Sequence, residues 1–334
     1  MPEYSNRLGH ISTEQFQAAL TRLHLGDFVE AEAIPFGLFG HNVFLTSTQG
    51  KFVLRGAPHY SWQFPTEQFF VDQLHARTQA PVPYPYLLDP STDIFGWSYV
   101  IMPRMPGLQL HHKLAAARLA LEERLEIAVA LARMLVEVQN LTWVVAGKFD
   151  PQTGDVMPFD KPYHEWVIDN IHEKAAAAQG YNDHTTASDL DWIASVVDAG
   201  RPVLSSASSP CVVLGDYGAH NSSVVHSEGA WHVSGLFDLM TAHFGDGQAD
   251  LSVQVRNYLK MEGGLAEAFI NEYLRLKPRP AGFVEQQRLY MLDLMLGFWR
   301  HWQKHQGSVP GEQLGLTFEQ YARPSVEFWN KYLA

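Results

Sequence analysis

With 334 residues, of which 46% are hydrophobic and 18% are charged, the chain is long enough to build two domains or one large bilobed domain around a sizeable core. The 24 lysines and arginines against 36 aspartates and glutamates give a formal net charge of −12, which disfavours a nucleic-acid partner because a phosphate backbone attracts basic surfaces. The single cysteine, a start without a secretion-signal pattern, and the charges within the most apolar long helix predict a cytoplasmic protein with no membrane span.

The N-terminal part of the chain is predicted to be a helix followed by strands. A capping box that begins at Ser12 predicts the leading helix. Residues 33–45 then predict two strands joined by a glycine-containing turn with Gly37, Gly40 and Asn42. Glycines let backbone N–H groups approach phosphate oxygens closely, although a plain hairpin would also use such a turn.

The next two elements carry a cation and a carboxylate. Residues 50–55 alternate as a strand does and end on Arg55, whose planar guanidinium suits two-point phosphate contacts. An exposed arginine on an edge strand is the alternative interpretation. A helix is expected to open at Pro65, which would put Glu67 in its first turn, where the helix dipole by itself also favours a carboxylate.

The proline-rich segment 81–85 predicts an extended connector, because proline fixes φ and lacks an N–H group. A strand is predicted over 97–102. It is ended by the segment 103–107, which contains Pro103 and Pro106. An ordinary strand-ending turn is the alternative interpretation of this segment.

The remaining part of the chain is mostly helical in its pattern. Helical spacing of leucine and alanine predicts a long helix over 121–138. Two helices are expected over 161–178 and 188–199, the latter capped by Ser188 and closed by Gly200. Three further helices are expected after Asp250, near residues 251–261, 283–305 and 317–332.

The stretch 211–251 carries the chemistry. An apolar run delivers Asp216 onto a loop, Asn221 follows five residues later, and a predicted pair of strands ends on Asp238. One carboxylate can orient an attacking hydroxyl, while an amide oxygen and a second carboxylate are ligands that a magnesium ion accepts. This is the set of groups that phosphoryl transfer requires.

These residues resemble the core motifs of the aminoglycoside phosphotransferase family, which is related to the protein kinases. The matching residues are Gly215-Asp216, Asn221, Asp238, Gly245-Asp246 and Asp250-Leu251. Three positions depart from the family pattern: Leu214 and Gln139 replace histidines, and Leu239 replaces an aromatic residue.

The resemblance implies a role for each candidate residue. Asp216 would be the catalytic residue that accepts the hydroxyl proton, and Asn221 and Asp238 would bind Mg²⁺. The nucleotide, ATP or else GTP, would contact the glycine turn, the cation–carboxylate pair and the backbone of an interlobe hinge; these residues are Gly37, Gly40, Asn42, Arg55, Glu67, Met102, Pro103 and Met105.

The resemblance also implies the architecture: an α+β, bilobed, protein-kinase-like fold with a small antiparallel-sheet N-lobe and a larger, mostly helical C-lobe. The expected parts are a nucleotide-binding lobe over 1–102, a hinge over 103–107 and a catalytic and substrate lobe over 108–334. The implied function is transfer of the γ-phosphate of ATP to a hydroxyl of a small molecule, and the acidic net charge favours a cationic acceptor. A metabolite kinase of the choline, homoserine or sugar type and a nucleotide-binding pseudokinase are the alternatives.

Overall fold

A computed structural model describes residues 7–34, 42–110, 118–180, 184–204, 209–261, 263–304 and 315–332. Helices and strands of the described chain are α1 Thr13–Arg22, β1 Phe28–Ala33, β2 Asn42–Ser47, β3 Gly50–Gly56, α2 Gln63–Arg77, β4 Leu87–Asp89, β5 Tyr99–Pro103, β6 Leu108–Gln109, α3 Leu121–Val138, β7 Gly147–Asp150, β8 Asp155–Pro158, α4 Tyr163–Gln179, α5 Ala187–Leu204, β9 Cys211–Val213, β10 Ser222–Ser227, β11 Ala230–Leu236, β12 His243–Gly245, α6 Asp250–Tyr258, α7 Leu265–Leu276, α8 Phe283–Lys304 and α9 Phe318–Glu327. None of the helices in these ranges has the length and apolar character needed to cross a membrane.

The chain forms two compact units. The first contains residues 1–141, 149–155 and 218–242, and the second contains 142–148, 156–217 and 243–334. Helix α3 and the β10–β11 hairpin thus group with the strands that precede them. The division into lobes at 103–107 remains a prediction.

The first unit is built on a five-stranded antiparallel sheet in the order β1-β2-β3-β5-β4. Helix α1 covers one face, because its Phe16 and Leu20 pack into a buried cluster with Val43 and Leu54 from the sheet. The predicted capping box is present, since Ser12 Oγ accepts from the Gln15 N–H and Gln15 Oε1 accepts from the Ser12 N–H.

The first unit also contains the hairpin of β10 and β11, joined by a tight turn at Glu228 and Gly229. Both turn residues have positive φ, 54° and 79°, which suits the twist of a two-residue hairpin loop. Strand β6, just beyond the predicted hinge, pairs with β10. Gly107 has a φ of 100°, and a Cβ atom there would lie 2.3 Å from the Val224 carbonyl oxygen, so only glycine allows this close approach.

The second unit has a four-stranded sheet in the order β8-β7-β12-β9 and most of the later helices. Helix α8 is its central element and packs against α4, α5, α6 and α9. The one cysteine, Cys211, is buried on β9. The N-lobe-like sheet, the helical remainder and the antiparallel pairing confirm the predicted α+β fold class.

Three predicted helix boundaries are wrong. Helix α2 begins at Gln63 rather than Pro65, so Glu67 lies beyond the first turn. Helix α5 is capped by Thr186, not Ser188: the Thr186 N–H donates to Asp189 and the Asp189 N–H donates to Thr186 Oγ1. Gly200 does not close that helix, which continues to Leu204. A Cβ atom at this glycine would lie 2.0 Å from a leucine side chain of α8. The missing side chain therefore allows α5 and α8 to pack closely.

Helix α7, Leu265–Leu276, was not predicted from the sequence. Two glycines precede it, and Gly264 at its N-terminus has a φ of 73°, so the segment begins with turn chemistry rather than with a side-chain cap. The apolar periodicity that follows was the available signal.

Candidate active site

The β10–β11 hairpin holds the two predicted metal ligands at one end. Ser222 pairs with Leu236, and the Phe237 N–H donates to the Asn221 carbonyl oxygen over 2.9 Å. Asn221 therefore lies beside the residue that precedes Asp238. A bulge between Ser223 and Val224 shifts the register of the hairpin by one residue, and with that shift Asn221 and Asp238 lie at the same end of the hairpin.

Asp238 adopts a left-handed conformation, with φ 61° and ψ 53°. Non-glycine residues rarely occupy this region, and such strain persists where the surrounding structure holds it. One such restraint is the next residue, Leu239, whose N–H donates to Glu67 Oε1 over 3.2 Å. The strained turn aims the Asp238 carboxylate at Arg55.

Arg55 bridges the two carboxylates. Its Nη1 donates to both oxygens of Glu67, at 2.8 and 2.9 Å, and its Nη2 donates to Asp238 Oδ1 at 2.8 Å. The Arg55 and Glu67 side chains are only 8% and 4% exposed, whereas that of Asp238 is 28% exposed. The structure thus brings three of the predicted site residues into one cluster, and the Arg55–Glu67 contact suggested by the resemblance is present.

Burial and charge act in opposite directions within this cluster. Burial raises the pKa of Glu67, and the positive charge of Arg55 opposes that shift. Burial alone would lower the pKa of Arg55, but Glu67 and Asp238 raise it overall. A buried charge is tolerated only when it is paired and hydrogen-bonded, so each member of the cluster depends on the others.

Tyr86 completes the cluster, and the sequence analysis did not identify it. This residue lies just beyond the proline-rich connector, is 2% exposed, and donates its hydroxyl to Glu67 Oε2 over 2.6 Å. Glu67 thereby accepts hydrogen bonds from Arg55, from Tyr86 and from the Leu239 N–H. No motif signals such a contact, because it joins residues 19 positions apart through an irregular segment.

We expect Tyr86→Phe to lower the free energy of unfolding by about 1.5–3 kcal/mol, the usual contribution of a hydrogen bond to a charged group. The substitution keeps the ring and removes only the hydroxyl. Urea denaturation of the variant measures the change, and Tyr60→Phe at a residue that is 61% exposed is the matched control. Equal stability of Tyr86→Phe and the unmodified protein would contradict a role for this hydroxyl in holding Glu67.

The predicted hinge follows β5, on which Met102 pairs with Val53 and Pro103 pairs with Phe52. The Arg104 N–H donates to the Lys51 carbonyl oxygen over 3.0 Å and fixes the segment to β3. Among the described residues, no backbone carbonyl outside the regular elements accepts a hydrogen bond from the Met105 N–H. This donor can therefore be considered for a contact with a ligand.

The glycine turn is only partly described. Gly37 and Gly40 lie outside the described residues, which resume at Asn42. Asn42 pairs with Arg55 across β2 and β3, and its side-chain oxygen is buried without a hydrogen-bond partner in the described part of the chain.

Asp216 belongs to the second unit, where it follows β9 on a short loop. The loop is held by Asp250 of α6, which accepts the N–H groups of Leu214 and Gly215 at 2.7 and 2.8 Å. Asp250 is 1% exposed, so its carboxyl group is fully enclosed. The motif residue Asp250 therefore positions the backbone that leads into Asp216.

The second acidic motif residue, Asp246, is also internal. It accepts hydrogen bonds from the side chains of Gln286 and Tyr290 on α8. Burial raises its pKa, and hydrogen bonds from the Gln248 N–H and the Tyr290 hydroxyl oppose that shift. Asp246 thus ties the loop after β12 to α8.

We expect the stability contribution of Asp250 to decrease as pH rises. Burial raises its pKa to about 7; the two N–H donors oppose this, and the charge of Asp216 adds to it. An unfolded aspartate has a pKa of about 3.9, so the folded chain binds the proton more tightly and the contribution is lost between about pH 4 and 7.

Urea denaturation across that pH range should show the stability of the unmodified protein falling relative to Asp250→Asn, with no further change above pH 7. Asp191→Asn, at an exposed position of α5, is the control. If the unmodified protein instead gained stability relative to Asp250→Asn as pH rises, the N–H donors would be holding Asp250 as a carboxylate.

The donor set of the hairpin fits magnesium. A carboxylate and an amide oxygen are hard oxygen ligands, and Mg²⁺ commonly takes only one or two protein carboxylates together with phosphates and water. Within the described ranges, no cluster of three or more His, Cys, Asp or Glu residues could hold a metal ion by itself. A magnesium ion at Asn221 and Asp238 would therefore need phosphate or water oxygens to complete its shell.

Comparison with known proteins gives consistent matches. A sequence model of the phosphotransferase enzyme family, APH, matches residues 30–283. No curated protein sequence matches this chain significantly. Among solved structures, a protein of Ralstonia eutropha, described as a candidate aminoglycoside phosphotransferase, is 17% identical with a TM-score of 0.67; the match covers 97% of this chain and 98% of that one.

Two further solved structures carry ligands. A thermostable variant of the aminoglycoside phosphotransferase APH(4)-Ia, bound to ADP and hygromycin B, is 16% identical with a TM-score of 0.63, covering 95% of this chain and 98% of that one. APH(2″)-IIIa, bound to GDP and kanamycin, is 12% identical with a TM-score of 0.60, covering 97% of this chain and all of that one. At such identities the likeness establishes the kinase-like fold shared with these proteins.

Proposed function

The chain belongs to the phosphotransferase enzyme family, and from this premise we propose that it transfers the γ-phosphoryl group of ATP to a hydroxyl of a small molecule. The observation that carries the proposal is the buried bridge of Arg55 between Glu67 and Asp238. A guanidinium fixed by one carboxylate is presented with restricted freedom, which favours a defined contact with phosphate oxygens.

Each candidate residue then has a role. Arg55 binds the α- and β-phosphates, and Glu67 with Tyr86 holds it in place. Asn221 and Asp238 hold Mg²⁺, which when bound neutralises charge on the phosphates and aligns them. Asp216 orients the acceptor hydroxyl and takes its proton as the oxygen attacks the γ-phosphorus.

The choice of nucleotide is part of the proposal. We favour ATP and keep GTP as the alternative, since one similar structure holds ADP and another holds GDP. The Pro103 carbonyl and the Met105 N–H would contact the base, and Gly37, Gly40 and Asn42 would approach the phosphates. The hygromycin B and kanamycin complexes of the similar proteins support a hydroxyl-rich acceptor.

A coupled assay of ADP release tests the proposal. The panel should include aminoglycosides, choline-like amines, homoserine and sugars, each with ATP and with GTP. Turnover that requires both Mg²⁺ and one acceptor class is expected. Nucleotide binding without turnover on any acceptor would favour a pseudokinase, and absence of both would contradict the proposed function.

A further inference from the structure

An aromatic cluster lies in the second unit beside the strand that leads to Asp216. Phe159, Tyr163, Trp166 and His243 have neighbouring rings, with centroids 4.4 Å apart for Phe159–Trp166 and 5.7 Å apart for both Tyr163–Trp166 and Trp166–His243. The first three residues remain partly exposed. We call these four residues the aromatic cluster.

Lys148 provides the cluster with a positive charge. Its Nζ lies 4.9 Å from the centroid of the Trp166 ring and 5.9 Å from that of Phe159. No carboxylate within the described ranges forms an ion pair with it. Burial lowers the pKa of its ammonium group, and Lys174, of like charge, lowers it further.

The neighbouring lysine is already neutralised, and Lys148 is not. Lys174 Nζ donates to Asp293 Oδ1 over 2.6 Å. The Lys148 side chain remains exposed to solvent although the Phe159 and Trp166 rings partly bury its ammonium group, and the charged group acting on it is Lys174, of like sign. Aromatic faces attract a cation without neutralising its charge, which leaves the ammonium group able to bind an anion.

Sheet register relates this charge to the catalytic loop. Gly147 pairs with Phe244, and one step along the antiparallel register places Lys148 opposite His243, which itself pairs with Val213. Strands are spaced by about 4.8 Å, so the backbones of Lys148 and Val213 lie roughly 10 Å apart. Asp216 follows three residues later, at most about 10 Å further along the chain.

The packing of Tyr163 gives a second link to this region. A Cβ atom on Gly245 would lie 2.5 Å from two atoms of the Tyr163 ring, so the ring lies directly against β12. The Tyr163 hydroxyl is also 3.2 Å from His243 Nε2. The aromatic cluster is therefore fixed to β12, which neighbours β9, the strand that leads to Asp216.

We propose that Lys148 and the aromatic cluster form an acceptor subsite that binds a hydroxyl-bearing ring compound through a carboxylate or phosphate group. The exposed parts of the Phe159 and Trp166 rings contact the apolar face of the acceptor, and the Lys148 ammonium group contacts its anion. This inference rests on the proposed function. It opposes the cationic acceptor suggested by the net charge of −12, because the charge beside these rings is locally positive.

The test compares sugars that share a ring and differ in charge: glucuronate, glucose 6-phosphate, glucose and glucosamine. ADP release with each is measured for the full chain and for Lys148→Met, which keeps an apolar stem against Trp166. We expect the anionic sugars to have the highest kcat/KM. Lys148→Met should raise their KM about 10- to 100-fold, as for loss of a charge-assisted contact, with the KM for ATP unchanged.

Two further variants isolate the charge. Lys148→Arg should restore most of the preference for anionic sugars. Lys260→Met is the matched control, because burial and a like-charged neighbour, Arg256, also lower the pKa of Lys260. The glucuronate and glucose 6-phosphate arms separate a carboxylate subsite from a phosphate subsite.

The inference is overturned if glucosamine or glucose is the best acceptor, if none of the four sugars reacts although Mg-ATP binds, or if Lys148→Met keeps the preference of the unmodified protein. Failure to bind Mg-ATP would instead contradict the proposed function. The two failures are therefore distinguishable.

Discussion

Asp216→Asn should lower kcat by about 10²- to 10⁴-fold while the affinity for Mg-ATP stays nearly unchanged, because the role proposed for this side chain is to act on the acceptor hydroxyl and not on the nucleotide. The backbone of its loop is anchored by Asp250 through the Leu214 and Gly215 N–H groups, so the substitution leaves the loop in place. Single-turnover rates and calorimetric titrations of Mg-ATP measure the two quantities. A variant that loses nucleotide binding would place Asp216 among the nucleotide ligands instead.

Asp238→Asn should impair both nucleotide binding and turnover. At the proposed metal site the substitution would remove a negative oxygen ligand from Mg²⁺, and it also removes the negatively charged partner of Arg55 Nη2. We expect metal-dependent affinity for ATP to fall by at least about tenfold, with kcat falling by about 10²-fold or more. Arg55 keeps its two hydrogen bonds to Glu67, so the fold of the unit should survive.

Asn221→Ala is the matched comparison for the metal ligands. It removes a neutral oxygen from the same end of the hairpin. Metal-dependent affinity for ATP and kcat should therefore both fall, but by less than in Asp238→Asn. Normal metal-dependent binding by Asp238→Asn, together with lost binding by Asp216→Asn, would reverse the assigned roles.

Strands and turns that follow strong local rules could be predicted from the sequence, and they carry several of the candidate site residues. The Glu228-Gly229 turn sets the pairing of the hairpin only as far as Val224. A bulge between Ser223 and Val224 then shifts the register by one residue, and the shifted register brings Asn221 beside the residue preceding Asp238. The alternation of residues 50–55 also predicted the strand that ends near Arg55. In the structure Arg55 contacts the carboxylates of Glu67 and Asp238.

Contacts between distant segments could not be predicted in this way. Tyr86 reaches Glu67 from an irregular segment, and Asp250 reaches the Asp216 loop from a helix 35 residues away. Neither contact has a periodicity or a turn signature, since both depend on how elements pack. Gly200 illustrates the same limit, because a glycine near a predicted helix end suits a cap and close packing equally well.

Thermal unfolding with and without Mg-ATP tests the central claim most directly, because it requires no knowledge of the acceptor. At a free concentration of 100 times Kd, a ligand stabilises the folded chain by about 2.7 kcal/mol, which corresponds to a rise in Tm of several degrees. The rise should disappear with EDTA and be weakened in Asp238→Asn. Absence of any shift with Mg-ATP or Mg-GTP would contradict the assignment of this chain as a nucleotide-dependent phosphotransferase.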